Sequence, residues 1–299
     1  MITAESVKAR LKHNARLHGR NILDELVLYG LERTIYRISV SEYADRFTLK
    51  GGIFLYALFN RDYARATTDI DLLARRIPNG TEQMETIFRN IFAIECDDAL
   101  RFDLASLKVS TITEFKQYPG VNLSINAFLD RTRIHISIDI GFDDVLYPDR
   151  VRMQFPVLLD MPAPEVYAYS VYSVVAEKFE ALTSLGLTNG RYKDFYDIYI
   201  LASSFDFSGA ELKTSVSETF SHRGTGFDDI AAFDPSFTAD PVRRTRWSAF
   251  VKKKHAMENV SFDETMQALR TFLQPIADAI TAGSPFDRTW SAADRRWKD

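Results

Sequence analysis

Near the amino terminus Leu23, Leu26, Val27, Tyr29, Leu31, Ile35 and Tyr36 recur at helical spacing, with Arg and Glu on the opposite side of the helical projection. This predicts a helical opening over residues 1–45. The period then falls to two. Thr111-Ile112-Thr113 alternates, as does the run from Val121 to Ala127, and Ile134, Ile136, Ile138 and Ile140 alternate with His135, Ser137 and Asp139. In an extended chain the four isoleucines share one face and Asp139 lies on the other. Residues 46–160 are therefore expected to form an antiparallel or mixed sheet. Pro156, Pro162 and Pro164 mark a linker that ends it. Helices are expected to dominate the remainder. Val171–Leu182 reads as a helix that stops at Gly186 and Asn189-Gly190, and Lys193–Phe205 reads as another. Ser221–Asp240, rich in Gly and Asp, reads as a loop, and two further helices are expected near 241–256 and 262–282. The predicted fold class is α+β. An N-terminal sheet domain would cover residues 1–160 and an α-helical C-terminal domain residues 161–299.

Composition narrows the function classes. The 299 residues are 46% hydrophobic and 26% charged, as in a soluble globular protein with a substantial core. One cysteine, Cys96, makes neither an internal disulfide nor a thiolate zinc cluster, so a reducing, cytoplasmic setting is expected. Five histidines, at 13, 18, 135, 222 and 255, lack zinc-ligand spacing. No signal peptide and no long uncharged apolar run is evident, so no membrane partner is expected. With 37 Lys+Arg against 41 Asp+Glu, the net charge of -4 excludes a general polycation, and nucleic-acid binding would need a local patch. Arg243, Arg244, Arg246, Lys252, Lys253 and Lys254 offer one, interleaved with Trp247 and Phe250; Lys8, Arg10, Lys12, Arg16 and Arg20 form a second. Each cluster reads equally as a solvated helix face or as a docking surface for an RNA backbone.

The chemistry concentrates in two short motifs. Lys50-Gly51-Gly52 stands between an apolar run (Phe47, Leu49) and a helix-like run (Ile53 to Phe59), where glycine lets backbone N–H groups approach a ligand such as a triphosphate. In Asp69-Ile70-Asp71 an extended backbone would point both carboxylates to one face. If the Asp139 strand lies beside them, three carboxylates converge, a costly arrangement that hard divalent cations, Mg²⁺ or Mn²⁺, would offset. Taken singly, a Gly-Gly pair is usually just a turn, and Asp-x-Asp a solvated face.

Together these motifs resemble the nucleotidyltransferase superfamily typified by DNA polymerase β. Lys50-Gly51-Gly52, Thr68-Asp69-Ile70-Asp71-Leu72, Ile138-Asp139-Ile140-Gly141-Phe142, Ala176-Glu177-Lys178 and Arg191–Asp197 stand in the order seen in the AbiEii/MenT-like toxin nucleotidyltransferases, over roughly residues 45–255. The late Trp247–Phe250 segment looks like that family's C-terminal region. The resemblance implies a mixed sheet flanked by helices and an NTP substrate. Asp69 and Asp71 would hold the metals, and Asp139 would complete the metal site or act as base toward an acceptor hydroxyl. Lys50, Gly51, Gly52, Arg65, Thr68 and Lys178 would contact the nucleotide, and Asp194 would be a second essential group beside Lys178. It further implies an RNA acceptor, the 3′ end of tRNA, and a cognate antitoxin as partner. The chain departs from many superfamily members in carrying Gly52 and Ile53 where Ser or Thr follows the first glycine, which leaves the NTP preference open. The rival readings are nucleotidylation of a small molecule or protein, a non-catalytic nucleotide-binding module, and a metal-dependent glycosyltransferase.

Overall fold

The computed structural model of the chain describes residues 2–61, 67–112, 120–227, 229–253 and 260–299, and the Lys253 side chain is not among what it describes. Thr113, Arg65 and Lys254, each singled out above, lie outside the described residues. The chain divides into two compact units. One comprises Met1–Asp143 and Val151–Ala168, the other Asp144–Arg150 and Tyr169–Asp299.

The first unit opens with helices α1 (Ala4–Leu17) and α2 (Ile22–Val40), which start at the side-chain caps Thr3 and Asn21. Strand β1 (Phe47–Lys50), helix α3 (Gly51–Leu58), strand β2 (Ile70–Ala74) and helix α4 (Thr81–Phe92) follow. Strands β3 (Leu100–Ile112), β4 (Gly120–Leu129), β5 (Thr132–Phe142), β6 (Val151–Gln154) and β7 (Glu165–Ala168) complete it. Among the described residues these strands form a seven-stranded mixed sheet ordered β3-β4-β5-β2-β1-β7-β6. The expected alternation of β5 is realised: Ile134, Ile136, Ile138 and Ile140 are buried, while His135 is exposed and Asp139 half-buried. Helix α4 carries a helical apolar period, Met84, Ile87, Phe88, Ile91 and Phe92, inside the stretch read as sheet.

Two features depart from the sequence reading. The Arg and Glu side chains of α2 do not all face water. Glu32, Arg33 and Arg37 are at most 2% exposed, because each has a built partner. Arg37 forks onto Asp98, donating to Oδ2 at 2.6 Å and Oδ1 at 3.1 Å. Glu32 pairs with Arg33 at 2.9 Å and accepts from the Leu158 N–H at 2.6 Å, and burial, countered by Arg33, lifts its carboxyl to about 7. The proline segment, for its part, does not end the sheet. It connects β6 to β7, which pairs parallel with β1. Arg33 donates to Pro162 O, Asn14 to Leu158 O and Arg61 to Val157 O, so side chains fasten a segment whose prolines cannot donate.

Helix α2 packs on β5 through Gly30, where a Cβ would come within 2.7 Å of Ile136 Cδ1 and 2.8 Å of Ile134 Cγ2. Helix propensity alone would favour a larger residue. Gly30→Val is nonetheless expected to lower stability by about 1–3 kcal/mol, the usual result of overpacking. Urea titration checks this, and an unchanged midpoint would mean that the sheet yields to the added methyl groups.

The second unit contains α5 (Val171–Ser184), α6 (Tyr192–Ser204), β8 (Phe207–Ser208), α7 (Gly209–Arg223), α8 (Pro235–Ala239), α9 (Pro241–Lys253), α10 (Phe262–Thr281), β9 (Thr289–Ser291) and β10 (Arg296–Lys298). Helices at 171–184, 192–204, 241–253 and 262–281 follow the expectation, whereas α7 and the small β10-β9-β8 sheet were not expected. Arg223 explains why the short Asp144–Arg150 segment belongs here, since it contacts Asp144 at 2.9 Å and Glu180 at 2.8 Å. No described helix is long and apolar enough to cross a membrane.

Candidate active site

Strand register builds the site in the first unit. Lys50 on β1 stands opposite Asp71 on β2, Asp71 opposite Asp139 on β5, and Asp139 opposite Asn122 on β4. One row thus crosses four strands, and cross-strand partners share a face. Asp69, at the bend before β2, adds its carboxylate to that face. One oxygen each from Asp69, Asp71 and Asp139 lies within 4.8 Å of the others, and all three residues are half-buried. The convergence expected from two separate motifs is therefore present, and it follows from the parallel pairing of β2 with β5.

Gly51 is fitted to this cluster in two ways. Its φ of +66° is one that side-chain-bearing residues rarely adopt, and an added Cβ would lie 1.9 Å from Asp71 Oδ2. Any other residue at the start of α3 would have to displace the carboxylate. Gly52 is buried, Lys50 half-buried, and Thr68 exposed just before Asp69.

Asn122 was not anticipated. Its Nδ2 donates to Asp139 Oδ1 at 2.6 Å and to Ser137 Oγ at 3.1 Å, orienting the carboxylate. Asn122, Ser124 and Asn126 present equivalent signals in an alternating strand, and only the register selects Asn122. His135 stands outside the acidic group, 3.4 Å from Asn126 Oδ1. Cys96 is half-buried, and burial pushes its thiol up.

The second unit has its own charged cluster. Lys178 Nζ lies 2.7 Å from Asp194 Oδ1 and 2.7 Å from Asp197 Oδ2, and Arg191 Nε lies 2.7 Å from Asp194 Oδ2. The Lys178 side chain is 12% exposed, so it is no ordinary surface lysine, and the two carboxylates are essentially buried. Burial by itself would raise the Asp194 carboxyl, but Lys178 and Arg191 outweigh it and hold the group below its ordinary value. Asp197 turns inward to Lys178, a contact that ties α6 to α5.

The basic stretch on α9 is partly spent on packing. Arg243 lies over the Phe237 ring at 3.8 Å and donates to the Asn189 and Leu187 carbonyls. Arg244 pairs with Asp263 at 2.8 Å and donates to Thr238 O. Arg246 and Lys252 are exposed, and Trp247 is buried.

Among solved structures, the chain is similar to JHP933 from Helicobacter pylori, at 14% identity and a TM-score of 0.46, over 85% of this chain and 92% of that one. It is likewise similar to a protein from H. pylori described as a candidate nucleotidyltransferase, at 13% identity and a TM-score of 0.45, over 86% and 96% of the two chains. No protein of curated function matches the chain in sequence. The family model of the AbiEii nucleotidyl transferase toxin, from type IV toxin–antitoxin systems, matches residues 33–273, a span that holds the carboxylate row, Gly51 and the Lys178 cluster. The chain belongs to the AbiEii nucleotidyltransferase toxin family.

Proposed function

We propose that this chain transfers a nucleoside monophosphate from an NTP to a hydroxyl of an RNA acceptor, the 3′ end of tRNA, with release of pyrophosphate, and that it does so in the cytoplasm as a toxin restrained by a cognate antitoxin. The observation that carries the reading is the meeting of Asp69, Asp71 and Asp139 beside Gly51 in a chain of this family. Carboxylate oxygens are the hard donors that Mg²⁺ or Mn²⁺ takes, and three like charges within 4.8 Å are the kind of set that a divalent cation relieves. The residues fit such an ion, and Asp69, Asp71 and Asp139 would hold it. The ion would supply charge neutralisation on the phosphates.

The chain's own groups do the remainder. Gly51, without a side chain, lets the triphosphate approach the α3 backbone, while Lys50, Thr68 and Arg65 supply further nucleotide contacts. Asn122 keeps Asp139 in one orientation. Lys178 is the cation assigned to developing phosphate charge, and Asp194 positions it. Of the α9 cations, Arg246 and Lys252 suit a salt-sensitive RNA contact better than Arg243 and Arg244 do, since the latter two are engaged internally.

Asn122→Ala is expected to weaken Mn²⁺ binding tenfold to a hundredfold, the usual effect of removing a group that orients a metal-bound carboxylate. Titration followed by electron paramagnetic resonance would show it, and an unchanged affinity would deny Asn122 that role. The acceptor is tested by incubating the protein with each α-labelled NTP, Mg²⁺ and total tRNA, in parallel with a protein extract and an aminoglycoside. Label in tRNA alone supports the reading; label in either other acceptor, with none in tRNA, overturns the choice of acceptor.

A further inference from the structure

A cavity in the first unit has no part in the chemistry above. It measures about 510 Å³ and is lined by His18, Arg20, Arg61, Gln154, Phe155 and Ala163, among others. Gly51, which touches the carboxylate row, starts α3, and Asn60 and Arg61, which line the cavity, follow its end. Eight residues of helix therefore separate the two, about 12 Å.

The cavity is built around cations. Arg61 donates from Nη1 to Val157 O at 2.9 Å and has no carboxylate within ion-pair distance among the described residues. Arg20 donates to the carbonyl of Arg61, and its Nη1 lies 3.8 Å from Glu25 Oε2, a loose pairing that leaves the guanidinium a quarter exposed. Tyr56, 4% exposed, packs its ring against Phe155 at 6.1 Å, and its buried hydroxyl has no hydrogen-bond partner. Burial pushes that hydroxyl up to about 12; Arg20 and Arg61 pull it down while the buried Glu25 and Glu32 add to the rise, so it lies in the field of both cations and of these two carboxylates. Asn60 and Arg61 both hold positive φ, 48° and 74°, so a long cation is kept where glycine would be cheaper. The volume suits a small molecule. Two guanidinium forks match the oxygens of a phosphate better than a single carboxylate does.

We propose that this cavity binds a small phosphorylated molecule, with Arg20 and Arg61 as its anion-binding pair. The site stands apart from the transfer chemistry and does not depend on that reading. The test is calorimetric titration of the full chain with inorganic pyrophosphate in EDTA, where the carboxylate row, without a divalent cation, repels a polyanion. Citrate serves as the carboxylate control. Saturable pyrophosphate binding is expected, at least tenfold tighter than citrate. It should fall at least tenfold in Arg61→Gly, a variant that adopts the positive φ without strain and whose fold is checked against the parent by urea titration. Arg20→Gln should weaken it likewise, and Asp69→Asn should leave it unchanged. Absence of saturable binding, equal binding of citrate, or binding that survives in a folded Arg61→Gly protein would overturn the proposal.

Discussion

Asp69→Asn is expected to cut nucleotidyl transfer by about 10³-fold or more, while the protein stays as stable as the parent or becomes more so. The two effects have one cause. The three carboxylates lie within 4.8 Å of one another, and at that separation each pair of like charges in a well-solvated setting costs about 1 kcal/mol. Replacing one by a neutral amide of the same shape relieves that repulsion. On the proposed function the same change would also remove one of the three carboxylates that would hold the metal, whose charge neutralisation would be worth several kcal/mol in the transition state, where about 4 kcal/mol corresponds to 10³-fold. Activity at saturating NTP and thermal unfolding without divalent cation, measured on one preparation, separate the terms. A variant that loses both activity and stability would point instead to a structural carboxylate.

Lys178→Met carries the largest expected cost to stability, roughly 3–5 kcal/mol, because it takes from the buried Asp194 and Asp197 the cation that both of them meet at 2.7 Å. The same geometry sets a pH dependence. Because the folded Asp194 carboxyl titrates below its unfolded value of 3.8, its contribution is present above that value and lost as the pH falls through the folded one. The parent should therefore lose stability in acid more steeply than the Asp194→Asn variant, as urea titrations at pH 6 and pH 3 would show. Adding Asp197→Asn to Lys178→Met removes one uncompensated charge and should recover part of the lost stability. If Lys178 also meets the triphosphate, fold returns in the double variant and transfer does not. Recovery of both would confine Lys178 to a structural role.

Much of this site is written locally. The alternation of Ile134 to Ile140 already sets Asp139 on the polar face of its strand, and Asp69-Ile70-Asp71 aims two carboxylates the same way. That the two strands are parallel neighbours in register, Asp71 opposite Asp139, is a long-range pairing that neither segment encodes alone. Asn122 stayed hidden for the same reason. The burial of Arg33 and Arg37 was illegible because their partners, Pro162 and Asp98, lie 129 and 61 residues away, and without them a charged helical position reads as solvated. The proline segment misled through its composition. Prolines forbid strand pairing where they stand, yet β7 lies immediately beyond them and pairs with β1. On α9 the cations read as one patch, because the capture of Arg243 by Phe237 and two carbonyls depends on α8 and the turn before α6, which the α9 pattern does not describe.

The most direct measurement follows the fate of the NTP phosphates. The protein is incubated with Mg²⁺, tRNA and an NTP labelled at either the α or the γ phosphate. The account predicts α-label fixed covalently in the acceptor, γ-label released as pyrophosphate in equal amount, and loss of both signals in Asp69→Asn. Transfer of the γ-label, or release of orthophosphate with the α-label left in a free diphosphate, would contradict it.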